Sequence, residues 1–398
     1  MTTGVDRHGP VNRVKVMDVL AEVTGGISYK AHKYGLDHAD RPSVDYGDSE
    51  IVWKRRAETT QHRTYVDLEV YLSRISSGND QILTHFLDGS RRVFKVDDIA
   101  YRKSGGRSVI YPVVAGQIGV ACCQRVNKKL IKVASVREFV LSMPDIADAD
   151  GGKRGFWEAT ARKISDCSEL RRLNIEFSTI LPYKTAGADS KYEDLATACI
   201  QDRMARKEKD LVAELVRQGR LNQDNYLVKD GSLQYKPSAD ERSDRRKYQI
   251  FKNNFRWVIG VSKNFNPEVC EDINGKPNPG FIAELPLFHR TPVAEYENPL
   301  IGDAKIAVWY LRLRDRMVTR TPFDGILKVE KILVTDEEID QGIDSELVDT
   351  LSAYLLNERN PVCYGSDLRW ANHIYPIYLT ESYVKSLYLS SESFLHLF

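Results

Sequence analysis

The sequence lacks the features of a membrane or secreted protein. None of its apolar runs approaches the 18 or more residues that a membrane-spanning helix needs. The first residues also contain no apolar stretch as long as the core of a secretory signal. These absences predict a cytoplasmic protein that does not associate with a membrane.

Cysteine is scarce and is not spaced for metal binding. The six cysteines are an adjacent pair, Cys122 and Cys123, and four scattered residues, with no Cys-x-x-Cys spacing among them. Neither a zinc site nor a disulfide framework is indicated by such a pattern. We therefore expect reduced thiols in or near the core.

An excess of positive charge, the usual mark of a nucleic-acid-binding protein, is missing as well. The chain has 57 basic and 56 acidic residues, for a net charge of +1. Any basic surface must therefore be local, and the candidates are residues 203–207, 245–256 and 312–320. Each is equally well explained as a solvated face of a helix or strand. The composition itself, 42% apolar and 28% charged, is that of a folded globular protein.

Hydrophobic periodicity predicts helices mixed with strands. Helices are expected at 13–23, at about 48–76 and at about 191–218. Strands are expected at 82–96, 107–126, 225–231, 255–263, 280–287, 304–315 and 325–334, followed by a helix-rich end. This order predicts an α/β chain with a mixed central sheet flanked by helices. We expect one large domain at 81–398, preceded by an N-terminal helical extension at 1–80.

The tripeptide Asp-Gly-Ser occurs twice, each time after a short apolar run, and presents Asp88 and Asp230. Asp-Gly between two strand-like runs is a strong hairpin signal, so a turn is one explanation. The other is that both aspartates lie at strand ends, where open α/β sheets bind their ligands. The second copy favours this explanation, because it follows a long helix and a strand typical of a buried central position.

A carboxylate on the intervening helix is a candidate third member. Glu208 borders the apolar stripe of that helix, between Met204 and Leu211. Carboxylate oxygens suit Mg²⁺ and Mn²⁺. Such ions can activate a water and stabilise the leaving oxygen of a phosphodiester. The pattern therefore predicts metal-assisted phosphodiester hydrolysis, with Mn²⁺ or Mg²⁺ as cofactor.

Several short motifs, in their order, resemble the NurA nuclease family. They are the two Asp-Gly-Ser motifs with the glutamate-bearing helix between them, VIGVSK (258–263), AVWYLRLRD (307–315), GILKVEKI (325–332) and IYPIYLTESYVKS (374–386). The resemblance implies an RNase H-like core with Mn²⁺-dependent 5′–3′ exonuclease and endonuclease activity on DNA. It also implies a homodimer that docks on a HerA-type hexameric ATPase, in DNA end processing or anti-phage defence.

The resemblance also implies roles for particular residues. Asp88, Glu208 and Asp230 match the family's metal-binding carboxylates, and Lys263 matches a lysine expected near the scissile phosphate. The family has a histidine near its C-terminus, where this chain has Tyr383.

Two residues are therefore candidates for the last member of the site. His373 has the imidazole chemistry to ligate Mn²⁺ or shuttle a proton. Tyr383 would instead hydrogen-bond the phosphate or the attacking water. We favour Tyr383, in an assisting role without metal ligation.

Other functions fit the same motifs. A catalytically inactive RNase H-like scaffold or DNA clamp is one, and an RNase H-like nuclease acting on RNA is another. Two retained Asp-Gly-Ser motifs favour an enzyme, but they do not distinguish DNA from RNA. The apolar face of residues 13–23 could serve the dimer or the ATPase interface, or pack on the chain's own core.

Overall fold

The structure is a computed structural model, and the description covers residues 15–29, 32–37, 52–77, 81–102, 108–148, 155–186, 191–235, 237–270, 276–298, 302–361 and 369–398. None of the described helices is both long and apolar enough to span a membrane.

One mixed sheet contains all the strands of the described residues. The strands are β1 (Ile27–Ser28), β2 (Tyr34–Gly35), β3 (Val52–Arg56), β4 (Val66–Asp67), β5 (Leu83–Arg102), β6 (Ser108–Val126), β7 (Lys129–Pro144), β8 (Phe177–Tyr183), β9 (Tyr226–Asp230), β10 (Val258–Ser262), β11 (His289–Arg290), β12 (Ala294–Glu297), β13 (Lys305–Arg312) and β14 (Ile326–Ile332).

Helices cover both faces of this sheet. They are α1 (Val16–Thr24), α2 (Glu69–Ser77), α3 (Phe156–Ser165), α4 (Ser168–Arg172), α5 (Tyr192–Arg217), α6 (Ala239–Ser243), α7 (Arg245–Asn254), α8 (Pro279–Ala283), α9 (Asp336–Gln341), α10 (Ser345–Asn357), α11 (Tyr375–Ser386) and α12 (Ser391–Leu395). The mixed α/β architecture predicted from the sequence is thereby confirmed.

The middle of the sheet has the strand order β7-β6-β5-β9-β10. Strands β5, β6 and β7 form an antiparallel meander, whereas β9 lies parallel to β5 and β10 lies parallel to β9. Helix α5 precedes β9, and helices α6 and α7 precede β10. Three antiparallel strands followed by two parallel strands reached through helices are the topology of an RNase H-like core.

Further strands extend this core on both sides. Strand β14 pairs antiparallel with β10 and continues through β13 and β12 to β3, while β8 adds in parallel to β7. The core strands are therefore interior strands, which removes exposed sheet edges from the region of β9 and β10.

The core strands are buried on both faces. Leu87 and Val120 pack in one cluster with Ile200 and Leu211 of α5. Phe86 packs in a different cluster, with residues of α10 and α11. Because successive strand side chains alternate between faces, even-numbered residues near position 88 lie toward α11 and odd-numbered ones toward α5. This alternation decides where each polar side chain of these strands is delivered.

The helix predicted at 13–23 is confirmed from Val16 onward as α1, whereas residues 13 and 14 lie outside the described residues. The helix is followed by Gly25 in a left-handed conformation with φ 67°. Its buried residues Val16, Met17 and Leu20 pack in a cluster with Phe94 of β5. The apolar face of this helix is therefore covered by the chain's own core.

The helix expected at about 48–76 is confirmed only for its last part, which is α2, and is wrong for residues 52–68. Residues 48–51 lie outside the described residues. Residues 52–56 form β3, which pairs with β12, and a helix begins only at Glu69. Pairing with a neighbouring strand overrides the weak helical periodicity of this segment. The described part of the N-terminal 80 residues thus contributes short strands to the sheet as well as helices, and the division at residue 80 stays a prediction.

The strand expected at 280–287 is also wrong, because this segment contains α8. The side chain of Asn278 caps this helix by accepting a hydrogen bond from the backbone N–H of Phe281 at 3.2 Å, and Pro279 opens its first turn. Asparagine followed by proline is a helix-start signal, and here it outweighs the apolar run.

A buried ion pair ties the N-terminal region to this fold. Arg290 is fully buried, and its Nη2 donates to Glu58 Oε2 at 2.9 Å while its Nε donates to Asp349 Oδ1 at 2.5 Å. Glu58 also accepts hydrogen bonds from the backbone N–H of Val293 and the hydroxyl of Ser345. One carboxylate thus joins the segment after β3 to two distant parts of the chain.

We expect Glu58→Ala to lower the free energy of unfolding by about 3 kcal/mol, because it leaves the Arg290 guanidinium buried without one of its two carboxylate partners. Urea denaturation measures this change. The exposed Glu176→Ala, the matched control, should change it by less than about 0.5 kcal/mol. Equal effects from the two substitutions would contradict a structural role for the ion pair.

Candidate active site

Asp88 lies in the interior of β5 and does not form a turn. The strand continues through it, with Asp88 opposite Ala121 and Gly89 opposite Val120 of β6. The hairpin explanation of this Asp-Gly-Ser motif is therefore wrong. The connection between β5 and β6 follows Arg102 instead.

The Asp88 carboxyl group is buried and incompletely hydrogen-bonded. It is 3% exposed, and its Oδ2 has no hydrogen-bond partner among the described residues. Burial, followed by the negative charge of Asp230, raises the pKa of this carboxyl well above its usual value. A buried carboxylate held this way is a poor structural element but is suited to accept a cation.

Asp230 ends the neighbouring parallel strand, β9. Because Phe86 pairs with Val228, Asp230 is delivered beside Asp88 on the same face of the sheet. Gly231 then turns the chain with φ 87°, a conformation that favours glycine. In the second Asp-Gly-Ser motif, the same tripeptide both ends a strand and presents a carboxylate.

Lys263 follows β10 and faces the two aspartates. Its Nζ donates to Asp230 Oδ2 at 2.9 Å, and its side chain is 7% exposed. Burial alone lowers the pKa of this ammonium, but the carboxylates of Asp230, Glu381 and Asp88 outweigh it, and the net pKa is raised. Lys263 is therefore a buried, permanently charged cation within the carboxylate cluster.

Glu208 approaches from the opposite face of the sheet, on α5. Its carboxylate lies against Gly89, where a Cβ atom would overlap it. The glycine after Asp88 therefore serves to admit the Glu208 side chain to the strand. The first motif needs glycine for space and not for a turn.

Glu208 has two partners on this face. The hydroxyl of Tyr235 donates to its Oε2 at 2.9 Å, and Lys229 Nζ lies 3.2 Å from the same oxygen. Burial raises the pKa of the Glu208 carboxyl despite the ammonium of Lys229. Neither Tyr235 nor Lys229 was predicted as a site residue, although Lys229 directly precedes Asp230.

The loop after Asp230 is held by a buried carboxylate on β14. Glu330 Oε2 accepts hydrogen bonds from the Ser232 hydroxyl and the Leu233 backbone N–H, both at 2.7 Å. A Cβ atom at Gly260 would meet the backbone oxygen of Gly231 at 2.8 Å, so the loop requires glycine in the neighbouring strand. These contacts fix where β9 ends and therefore where Asp230 lies.

Glu381 was missed by the sequence analysis. It lies on α11, with Oε2 3.7 Å from Lys263 Nζ and Oε1 2.8 Å from Lys385 Nζ. In the sequence, the spacing of Glu381 and Lys385 is that of an ordinary surface ion pair on a helix. Only the packing of α11 against β5 shows that the glutamate faces the site.

Tyr383 and His373 lie elsewhere. The hydroxyl of Tyr383 is 3.4 Å from the Ser135 hydroxyl on β7. His373 is 1% exposed, directly before α11, and its ring stacks on Tyr378 with centroids 5.5 Å apart. Neither Tyr383 nor His373 is among the described residues that line the cavity between the carboxylates.

The carboxylates line an open cavity of about 490 Å³ at the ends of β9 and β10. It reaches both faces of the sheet and is polar, with Asp88, Glu208, Asp230, Lys229, Lys263 and Arg369 among its lining residues. Such a cavity suits a charged ligand better than an apolar one.

The residues present fit a hard divalent cation. Among the described side chains, no three or more His, Cys, Asp or Glu already form a ready-made metal cage. Mg²⁺ does not require one, because it commonly uses one or two carboxylates, water and substrate phosphate. Asp88 and Asp230 supply that pair, and the unpartnered Asp88 Oδ2 supplies an available oxygen.

Comparisons with known proteins identify no family for this chain. No protein-family model matches the chain, and no curated protein matches it. Among solved structures, the crystal structure of the NurA nuclease from Sulfolobus solfataricus is similar, with a TM-score of 0.36 and 12% sequence identity, over 79% of this chain and 86% of that chain. This similarity is too distant to establish a family or an activity, so function must be inferred from the site.

The raised pKa of Asp88 predicts a stability change with a definite sign. A carboxyl whose pKa is raised by folding favours the folded state below its unfolded pKa and loses that stability as the pH rises. Asp88→Asn should therefore increase the free energy of unfolding at pH 7, and this gain should shrink toward pH 3.5.

Denaturation at several pH values measures the effect, with the exposed Asp224→Asn as the control. A variant less stable than the wild type at pH 7 would show that the Asp88 carboxylate stabilises the fold.

Proposed function

We propose that the protein is a divalent-metal-dependent nuclease that hydrolyses phosphodiester bonds in DNA. The observation that carries this proposal is the pair Asp88, which is buried, and Asp230, which is partly buried. They lie side by side where β9 ends next to β5, with Lys263 beside them. Buried like charges are costly and need a functional reason or a bound cation.

Asp88 and Asp230 would hold the cation in this proposal, and Glu208 of α5, which lies against Gly89, would be the third carboxylate. The cofactor is Mn²⁺ or Mg²⁺, which when bound activates a water and stabilises the leaving oxygen. The protein's own contribution is to fix Asp88 and Asp230 on neighbouring strands, with the Lys263 ammonium beside them.

Cations on the cavity wall provide for the phosphates. Lys263 is the nearest to the aspartates, and Arg369 also lines the cavity. An arginine guanidinium can donate two parallel hydrogen bonds to one phosphate, whereas a lysine ammonium acts as a point charge. We assign Lys263 to the scissile phosphate and Arg369 to a neighbouring one. Tyr383 and His373 remain candidate assisting residues only if the site rearranges on DNA binding.

We extend the proposal to 5′–3′ exonuclease and endonuclease activity in a homodimer that works with a HerA-type hexameric ATPase. This part is supported by the order of the sequence motifs. DNA end processing and anti-phage defence are both compatible with it.

A catalytically inactive scaffold or DNA clamp is the second candidate, and one observation favours it. Lys263 and Lys229 already neutralise Asp230 and Glu208 at 2.9 and 3.2 Å. If these ion pairs never opened, the carboxylates would hold the fold together and could not bind a metal ion or catalyse hydrolysis. A cleavage assay decides between the two candidates.

We expect Asp88→Asn and Asp230→Asn each to reduce Mn²⁺-dependent cleavage of end-labelled linear DNA by about 100-fold or more, because each removes a charge and an oxygen from the cation. The assay includes EDTA, which should abolish cleavage by the wild type, and a labelled RNA of the same sequence. Circular dichroism confirms folding, and Asp224→Asn is the matched control.

Unchanged cleavage in either aspartate variant would remove that residue from the site. Cleavage of RNA in preference to DNA would favour the RNA-directed alternative, and no cleavage of either would favour the scaffold.

We also expect light scattering to give a mass near twice the 45.4 kDa of one chain. Mixing with a HerA-type ATPase should then give a single larger species. A mass of one chain, or separate elution of the two proteins, would contradict this part of the proposal.

A further inference from the structure

Lys263 lies between two carboxylates on different elements. Its Nζ is 2.9 Å from Asp230 Oδ2 on the strand side and 3.7 Å from Glu381 Oε2 on the helix side. The shorter contact is a hydrogen bond and the longer one is an ion pair without a hydrogen bond. The buried Lys263 ammonium is therefore hydrogen-bonded to one carboxylate and has a second carboxylate close by.

Glu381 is placed in this position by its helix, α11. Its side chain is 14% exposed, and its other carboxylate oxygen accepts from Lys385 at 2.8 Å. The segment before α11 is anchored by Asn372, whose Nδ2 donates to the backbone oxygens of Lys263 and Ile326 at 3.0 and 2.8 Å. The helix that bears the glutamate is thus tied to the residue whose ammonium it faces.

Glu381 is also permanently negative. Burial would raise the pKa of its carboxyl, but the charge of Lys263 and the hydrogen bond from Lys385 lower that pKa to about 2. No role as a proton donor near neutral pH follows from such a group. Its function must come from its fixed charge.

On the basis of the proposed function, we propose that Glu381 is a positioning residue, the alternative counter-ion that receives the Lys263 ammonium when a divalent cation occupies Asp230. The lysine then remains beside the scissile phosphate without competing for the metal-binding carboxylate.

The physical reason is the cost of an unpaired buried charge. A divalent cation and an ammonium repel each other, so binding at Asp230 displaces Lys263 from that carboxylate. A buried ammonium displaced without a new partner is strongly unfavourable. A flexible lysine stem needs only a small movement to close the remaining gap to Glu381, and the displacement then costs little.

Mn²⁺ affinity, measured by calorimetry in the absence of DNA, tests this role. The variants are Glu381→Gln, Lys263→Met and the double variant. Glu381→Gln alone should weaken Mn²⁺ binding roughly tenfold, because Lys263 then stays on Asp230. In the Lys263→Met background, the same substitution should change affinity by about twofold at most, through the loss of a nearby charge.

The matched control is Lys385→Met, which removes the more exposed partner of Glu381. Its effect on Mn²⁺ affinity should stay within about twofold, as for other exposed ion pairs. Equal weakening by Glu381→Gln in both backgrounds would overturn the proposal, because it would make Glu381 a metal ligand.

The Mn²⁺ affinities, taken together with the cleavage assay above, separate this inference from the proposed nuclease function. If the wild type binds no Mn²⁺, both the metal-dependent function and the inference fail. If the expected coupling is found in a protein that cleaves no nucleic acid, Glu381 keeps its role and the nuclease proposal fails. If cleavage is found but the coupling is absent, only the inference is overturned.

Discussion

Two adjacent carboxyl groups, the buried one of Asp88 and the partly buried one of Asp230, organise the centre of this protein. Asp88 and Asp230 lie on adjacent parallel strands, and burial, followed by the negative charge of Asp230, raises the pKa of the Asp88 carboxyl. The buried ammonium of Lys263 lies beside these carboxyl groups, and the carboxylate of Glu381 on α11 lies 3.7 Å from the same ammonium. The site is best described as carboxylates and ammonium groups that alternate in space, from Asp88 and Asp230 through Lys263 to Glu381 and Lys385.

The sheet makes this arrangement possible because neighbouring strands end at different places. Strand β5 continues past Asp88, whereas β9 and β10 end at Asp230 and Ser262. The short strands leave a cavity beside a long one, and that cavity is reached from both faces. Glu208 comes to it from the face opposite Asp88, through the space left by Gly89.

The ion pairs around Arg290 and the charged groups of the candidate site differ in how completely their hydrogen-bonding groups are satisfied. Arg290 is fully buried with two carboxylate partners, and Glu58 accepts further hydrogen bonds from the backbone and a hydroxyl. In contrast, Asp88 has an oxygen without a partner among the described residues, and Lys263 has a second carboxylate at a distance too long for a hydrogen bond. Buried charged groups with unfilled hydrogen-bonding positions, in a polar cavity, are what mark Asp88 and Lys263 as parts of a candidate site.

The sequence by itself determined the periodic elements and the carboxylates on them. Helix α5, strands β5, β6, β9 and β10, and the spacing of Asp88, Glu208 and Asp230 all follow from local pattern, because burial on a strand or helix face repeats at a fixed interval. Only the tertiary structure decided the rest. Asp-Gly at position 88 has the same local signal as a turn, and pairing with β6 selected the strand. Glu381 has the spacing of a surface ion pair, and the packing of α11 on β5 brought it to Lys263. Both depend on contacts between residues far apart in the chain, which local sequence does not encode.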